Sequence, residues 1–238
     1  MDLTDPQIWA SLLTLTALEI VLGIDNIIFI AVVVAKLPRD VQARARVIGL
    51  SGALVFRIVL LTTLVWIIGL RAPIAEVWGF ALSWRDIILF FGGLFLLWKG
   101  TGEIHDAVEG KDEAAAPGAG KAAFGVAIIQ IMALDVIFSV DSVITAVGMT
   151  DVIPVMVAAV IIAVIIMMVA SGPISAFIQK YPTAKMLALS FLMLVGVALV
   201  ADGLHFHIPR GYLYFAIAFS VGVEALNLAA GRRRRRRA

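Results

Sequence analysis

Apolar residues run along this chain in long blocks rather than in alternation. Seven stretches, near residues 8–35, 47–70, 86–104, 124–148, 152–171, 184–204 and 212–229, carry almost unbroken Leu, Ile, Val, Ala and Phe, and they are bounded by Pro, Gly or charge. A helix needs about 20 such residues to cross the hydrocarbon of a bilayer, whereas strands of a membrane barrel show alternating segments of about ten. The pattern predicts an all-α polytopic membrane protein with seven transmembrane helices. The basic residues between the blocks then set a direction. Lys36, Arg39, Arg44 and Arg46 follow span 1, Lys111 and Lys121 follow span 3, Lys180 and Lys185 follow span 5, and Arg232 to Arg237 follow span 7. The opposite connections offer Arg71, Arg85 and Arg210. This asymmetry predicts the N-terminus outside and the C-terminus in the cytoplasm. The opening Met1-Asp2-Leu3-Thr4-Asp5-Pro6 is acidic where a signal peptide is basic, so the first span is expected to be retained.

One long polar connection, from about Thr101 to Ala123, holds Glu103, Asp106, Glu109, Asp112 and Glu113 with an Ala/Gly/Pro stretch, and reads as a flexible cytoplasmic linker. It divides the chain into a first three-helix unit (1–104), the linker (105–123), a second three-helix unit (124–206), and a seventh helix with a basic tail (207–238). The two units share a motif. Glu19-Ile-Val-Leu-Gly-Ile-Asp25-Asn26-Ile-Ile28 in span 1 is echoed by Asp135-Val-Ile-Phe-Ser-Val-Asp141-Ser142-Val-Ile144 in span 4. A weaker echo aligns Gly93, Lys99 and Gly100 of span 3 with Gly196, Asp202 and Gly203 of span 6. Three spans per unit is an odd number, so the second unit enters the bilayer inverted, the arrangement of many secondary transporters with a site near the midplane.

Composition sharpens this reading. Of 238 residues 62% are hydrophobic and 15% charged, with mean hydropathy +1.03, which excludes a water-soluble globule. The absence of cysteine excludes disulfide scaffolds and thiolate metal sites. With the six terminal arginines set aside the formal charge of +2 becomes −4, so nothing in the body suggests nucleic acid. The tail itself reads as a topology anchor drawn to anionic lipid.

Four carboxylates, Glu19, Asp25, Asp135 and Asp141, fall near the middle of two spans, where each costs at least ~2.5–3.5 kcal/mol if ionised. Arg57, mid-span, and Lys99, near the inner end of span 3, are the cations expected to balance them, with Asp202 on span 6 deepening the deficit. Two cations do not neutralise these acids, so a bound cation, protonation, or both must supply the difference. Six residues turn a straight helix through about 600°, which puts the two acids of each pair on different faces. Gly23 and Ser139 are therefore the places where local unwinding is expected. Glu, Asp, Asn26 and Ser142 present only oxygen, the preference of hard cations such as Mg²⁺, Ca²⁺ and Mn²⁺. His105, His205 and His207 lie at span ends and read as solvated interface residues. Trp66, Trp78, Trp84 and Trp98 read as an aromatic belt, and Glu224 and Asn227 as interfacial.

The motifs at 19–26 and 135–142, with the hydrophobic plan around them from about residue 5 to 229, resemble the TerC family of integral membrane proteins. That family is named for tellurium resistance, is associated with manganese export and is grouped with LysE-type transporters. The resemblance implies that Glu19, Asp25, Asn26, Asp135, Asp141 and Ser142 carry the ion, that the ion is Mn²⁺, and that the chain is a multi-pass protein of the inner membrane. The residues by themselves leave Mn²⁺, Ca²⁺ and Mg²⁺ open. The expected function is export of a hard divalent ion in exchange for protons by alternating access, with no prosthetic group, no enzymatic activity and no nucleic-acid partner. A homo-oligomer is compatible with the pattern. Two alternatives stand beside it. One is a non-transporting metal or oxyanion resistance partner; the other is an intramembrane aspartyl hydrolase, which the missing Gly-x-Gly-Asp pattern disfavours. No Walker motif is present for ATP.

Overall fold

The computed structural model describes residues 6–63, 73–77, 80–110, 120–147, 150 and 152–235. Among them are eight helices: α1 (Pro6–Leu22), α2 (Ile24–Ala35), α3 (Arg39–Thr62), α4 (Trp84–Val108), α5 (Gly120–Val147), α6 (Ile153–Lys180), α7 (Pro182–Gly203) and α8 (Arg210–Arg235). Six are long and apolar enough to cross a membrane, and α1 with α2 makes a seventh span if the pair, bent by 40°, is counted as one. Each predicted block thus meets a helix; for 47–70 the part beyond Thr63 lies outside the described residues. A two-stranded antiparallel hairpin, β1 (Pro73–Val77) and β2 (Phe80–Ser83), is an addition that the all-helical expectation did not contain.

Several boundaries move, for local reasons. α4 starts where Ser83 and Asp86 form a reciprocal capping box: the Asp86 N–H donates to the Ser83 hydroxyl and the Ser83 N–H to the Asp86 carboxylate at 2.9 Å. α6 and α7 each begin with proline in the first turn, where its missing N–H is no loss. α3 starts at Arg39, so Arg44 and Arg46 sit on a helix rather than in a loop. α6 runs to Lys180, well past the predicted end at 171, with Pro173 inside it. The linker is shorter than expected, because α4 continues through Glu103, His105 and Asp106 to Val108 and α5 starts at Gly120. Its remainder, 111–119, lies outside the described residues.

The main contacts run between the two halves of the chain rather than within them. α3 packs on α5, α6 packs on α1 and α2, and α4 packs on α7 along the largest interface. Leu15, Phe29, Leu134, Met156, Ala163, Met167 and Leu199 fill the core where these pairs meet. The α4–α7 contact is a backbone approach. A Cβ built on Gly93 would lie 2.6 Å from the Gly196 carbonyl oxygen, and one on Gly196 would lie 3.1 Å from the Gly93 oxygen. Lipid tails are as apolar as leucine, so helices in a membrane gain by close packing of small residues rather than by leaving water. α8 is peripheral: it contacts α7, is mostly exposed, and leaves an apolar groove of about 510 Å³ bordered by α2, α6 and α7.

Candidate functional site

The crossing of α1, α3 and α5 buries charge. Arg57 projects from α3 and is 2% exposed; its Nε and one terminal nitrogen each donate to Asp135 at 2.9 Å, and its other terminal nitrogen donates to Glu19. This is the planar fork of arginine used to the full, and a compact ammonium has no equivalent. Asn26, at the start of α2, donates from Nδ2 to Asp135 at 3.1 Å. Ser139 donates to the Asp135 backbone carbonyl and sits 3.2 Å from its carboxylate, and Ser142 donates to the Ser139 carbonyl at 3.4 Å. The structure therefore brings together Glu19, Asn26 and Asp135 from both motifs, as well as Arg57, while Ser142 is buried on α5 and reaches only the Ser139 carbonyl. The side chains of Asp25 and Asp141, on α2 and α5, lie outside the described residues.

Two carboxylates thus share one guanidinium, and one buried acceptor has no donor: Asn26 is 3% exposed and its Oδ1 has no hydrogen-bond partner. Every ligand atom on offer is oxygen, which suits a hard cation. Among the described residues no three His, Cys, Asp or Glu side chains form a metal-binding group. The described part of the centre is accordingly two acids and an amide around an arginine, with the Ser139 hydroxyl beside Asp135.

Gly23 explains how the first motif is shaped. A Cβ there would lie 2.3 Å from the sulfur of Met167, a fully buried residue of α6, so only glycine lets α6 press against the junction. The chain bends at this point, as the sequence predicted, but it does not unwind: the Gly23 N–H donates to Glu19 O at 2.8 Å and its carbonyl accepts from Ile27 at 3.1 Å. Ser139 departs further from expectation. α5 is continuous through it, with the serine hydroxyl turned back onto the Asp135 carbonyl of its own helix.

Other predicted residues are placed elsewhere. Lys99 does not balance the central acids. It pairs with Glu103 one turn along α4 at 3.0 Å, and Glu103, 4% exposed, also receives Lys36 from the end of α2 at 2.8 Å. Asp202 pairs with His207 at 3.2 Å at the other end of α4 and α7, where His205 meets Asp86 at 3.0 Å. His105 pairs with Glu109 at 3.1 Å, so each of the three histidines has an acidic partner while remaining partly or largely exposed. His205 has φ of 66°, the left-handed residue that closes α7, with the Phe206 N–H reaching back to Ala201 O at 2.8 Å. Glycine is the usual occupant of that position; here a histidine holds it and reaches Asp86. Asp86 escaped the sequence reading, which placed Glu103 in the linker and His205 and His207 at span ends without partners. The Lys99/Glu103 spacing of one helical turn was the available signal for Glu103; nothing local announces the contact of Asp86 with His205 or those of Lys36 with Glu103 and Asp106, which join residues far apart in the chain. Of the expected belt, Trp84 and Trp98 are exposed, while Trp66 and Trp78 lie outside the described residues. Glu224 accepts from the Thr183 hydroxyl.

The family described as "Integral membrane protein TerC family" matches residues 4–238. The chain is 52% identical over 226 residues to the UPF0053 inner membrane protein YgdQ of Escherichia coli (strain K12), covering 95% of this chain and 94% of that protein. It is 50% identical over 230 residues to the UPF0053 inner membrane protein YoaE of the same strain, covering 97% of this chain but 44% of that longer protein. A UPF0053 protein of Haemophilus influenzae (strain ATCC 51907 / DSM 11121 / KW20 / Rd) is 50% identical over 226 residues, with 95% of each chain covered. No solved structure matches.

Proposed function

Because the chain belongs to the integral membrane protein TerC family, we propose that it is a secondary transporter exporting a hard divalent cation, Mn²⁺ first among them, through the centre built on Glu19, Asp25, Asn26, Asp135, Asp141 and Ser142. It is a multi-pass protein of the inner membrane, as its relatives are named. The observation that carries the reading is the meeting of the two halves on a charge-deficient cluster of oxygens, with Glu19 and Asp135 sharing Arg57. A divalent ion supplies the positive charge the carboxylates lack, and protons supply it when the ion leaves, so exchange of metal for protons keeps the buried charge nearly constant.

The packing supports an inverted repeat beneath this site. Gly100 lies against Met193 and Gly203 lies against Phe90. The same offset in the sequence separates Gly93 from Gly196, Gly100 from Gly203 and Phe90 from Met193, so the α4–α7 interface maps onto itself when the halves are exchanged. Contacts that rise along α4 fall along α7, the antiparallel sense that inversion requires. In the same scheme the N-terminus is outside and the linker cytoplasmic, which puts the Lys36–Glu103–Lys99 contacts at the inner end and the histidine pairs at the outer end.

An oxyanion substrate is the poorer reading, because Arg57, the cation it needs, is already held by two carboxylates. The test is Mn²⁺ uptake into inverted vesicles. Asp135→Asn and Asp141→Asn are expected to lower the flux at least ~10-fold, the effect of a lost charge contact worth ~1.4 kcal/mol or more. Undiminished flux in both variants overturns the proposal, and vesicles of unaltered protein that move no divalent ion favour the non-transporting resistance partner.

A further inference from the structure

Arg57 is the one cation that contacts the central acids among the described residues, and its contacts have the form of a bound ion's. Its three donating nitrogens reach oxygens contributed by both halves of the chain, Glu19 from α1 and Asp135 from α5, and the guanidinium is almost wholly shielded from solvent. The neighbouring Asn26 gives its N–H to Asp135 yet leaves its own buried oxygen without a donor. Leaving such an acceptor unpaired costs about 1–3 kcal/mol, and arginine does not cure it. A metal ion bound to Asp135 does, by taking the Asn26 oxygen as a further ligand. It also draws on the carboxylate oxygens that the guanidinium now occupies.

We propose that Arg57 is a tethered cation that competes with the transported ion for Asp135 and Glu19, so that ion binding and the guanidinium bridge are alternative states of one site. This rests on the divalent-transport reading above and deepens it. Arg57 then serves two purposes. It keeps the two halves joined across the centre when no ion is bound, and it assists release by returning to the oxygens the ion vacates. It also selects for charge. A monovalent ion that displaces the guanidinium replaces one positive charge with one and gains nothing, whereas a divalent ion gains a full charge in a buried, low-dielectric place where that difference is large.

The test is calorimetric titration of Mn²⁺ into the full chain in lipid nanodiscs, with flux measured in parallel. Arg57→Gln is expected to bind Mn²⁺ at least ~10-fold more tightly than the unaltered protein and to transport it more slowly, because the competitor that drives release is gone. Excess Na⁺ is expected to compete with Mn²⁺ in Arg57→Gln and not in the unaltered protein. Arg57→Lys keeps the charge but loses the fork, so its affinity falls between the two, and it carries the test should Arg57→Gln fail to fold. Equal or weaker Mn²⁺ binding by a folded Arg57→Gln, or by Arg57→Lys in its place, overturns the tethered-cation proposal while leaving divalent transport intact. Absence of Mn²⁺, Ca²⁺ and Mg²⁺ binding in the unaltered protein overturns both.

Discussion

The α1–α3–α5 crossing and the α4–α7 crossing are both contacts between the two halves of the chain, yet they are built in opposite ways. At the first, polarity sits in the middle: Arg57, Glu19, Asp135 and Asn26 are all buried among apolar residues, next to a 40° bend at Gly23. At the second, the middle is two glycine backbones in contact, and polarity is pushed to the ends, Glu103 with its lysines at one and the Asp86–His205 and Asp202–His207 pairs at the other. A backbone-to-backbone contact has no side chains to rearrange and tolerates little movement. On the proposal above, the charge cluster exchanges its hydrogen bonds for those of an ion and so has two states to move between. If the chain transports an ion as proposed, the contrast makes α4 and α7 the brace and the crossing around Arg57 the part that changes.

The largest effect is expected from removing the guanidinium. Arg57→Ala leaves two buried carboxylates facing each other, and breaking a buried pair in this way costs about 3–5 kcal/mol. Equilibrium unfolding in detergent micelles at neutral pH is the measurement, and Mn²⁺ is expected to restore part of the loss. A stability unchanged by Arg57→Ala breaks the contrast, since the central cluster would then contribute nothing that the glycine crossing does not.

The brace is tested by adding one carbon. Gly93→Ala puts a methyl 2.6 Å from the Gly196 carbonyl oxygen, where no flexible side chain can give way. Overpacking of this kind costs about 1–3 kcal/mol. Gly102→Ala, on the same helix with nothing within 4 Å of its Cβ, is the control, and it is expected to stabilise by up to about 1 kcal/mol through helix propensity. Thermal unfolding of the two variants side by side reads the difference, and transport should follow the loss of fold in Gly93→Ala rather than any change in ion affinity.

The smallest effect belongs to the end of α7. His205→Ala loses the contact with Asp86 and keeps the left-handed backbone, whereas His205→Gly loses the same contact and relieves the backbone. The glycine variant is expected to be the more stable of the two by about 1 kcal/mol, a difference that thermal unfolding resolves. Equal stability of the pair would mean that the left-handed turn imposes no strain.

The spans and the paired acidic motifs were legible because both are local signals. A run of apolar residues reports its own burial in lipid, and a carboxylate in such a run stands out without reference to any neighbour. The bend at Gly23 was legible for the same reason, as a glycine between two acids. What failed was the matching of charges. Lys99 and Arg57 are each a cation with apolar sequence neighbours, and only Arg57 reaches Glu19 and Asp135. Ser139 read as a breaking point by analogy with Gly23, but a hydroxyl can bond its own helix and glycine has none to offer. The contact of His205 with Asp86 was not legible, because 119 residues separate the two in the chain.

The amino-acid order alone therefore determined that this chain is a polytopic membrane protein with two similar acidic motifs set in its apolar runs. The tertiary structure decided which helices meet and hence which charges do. The physical reason is that lipid rewards every apolar helix face alike, so hydropathy contains no information about partners. Partners are selected by close-packed glycines such as Gly93 and Gly196, and by the reach of a single arginine, both of which exist only once two helices have crossed.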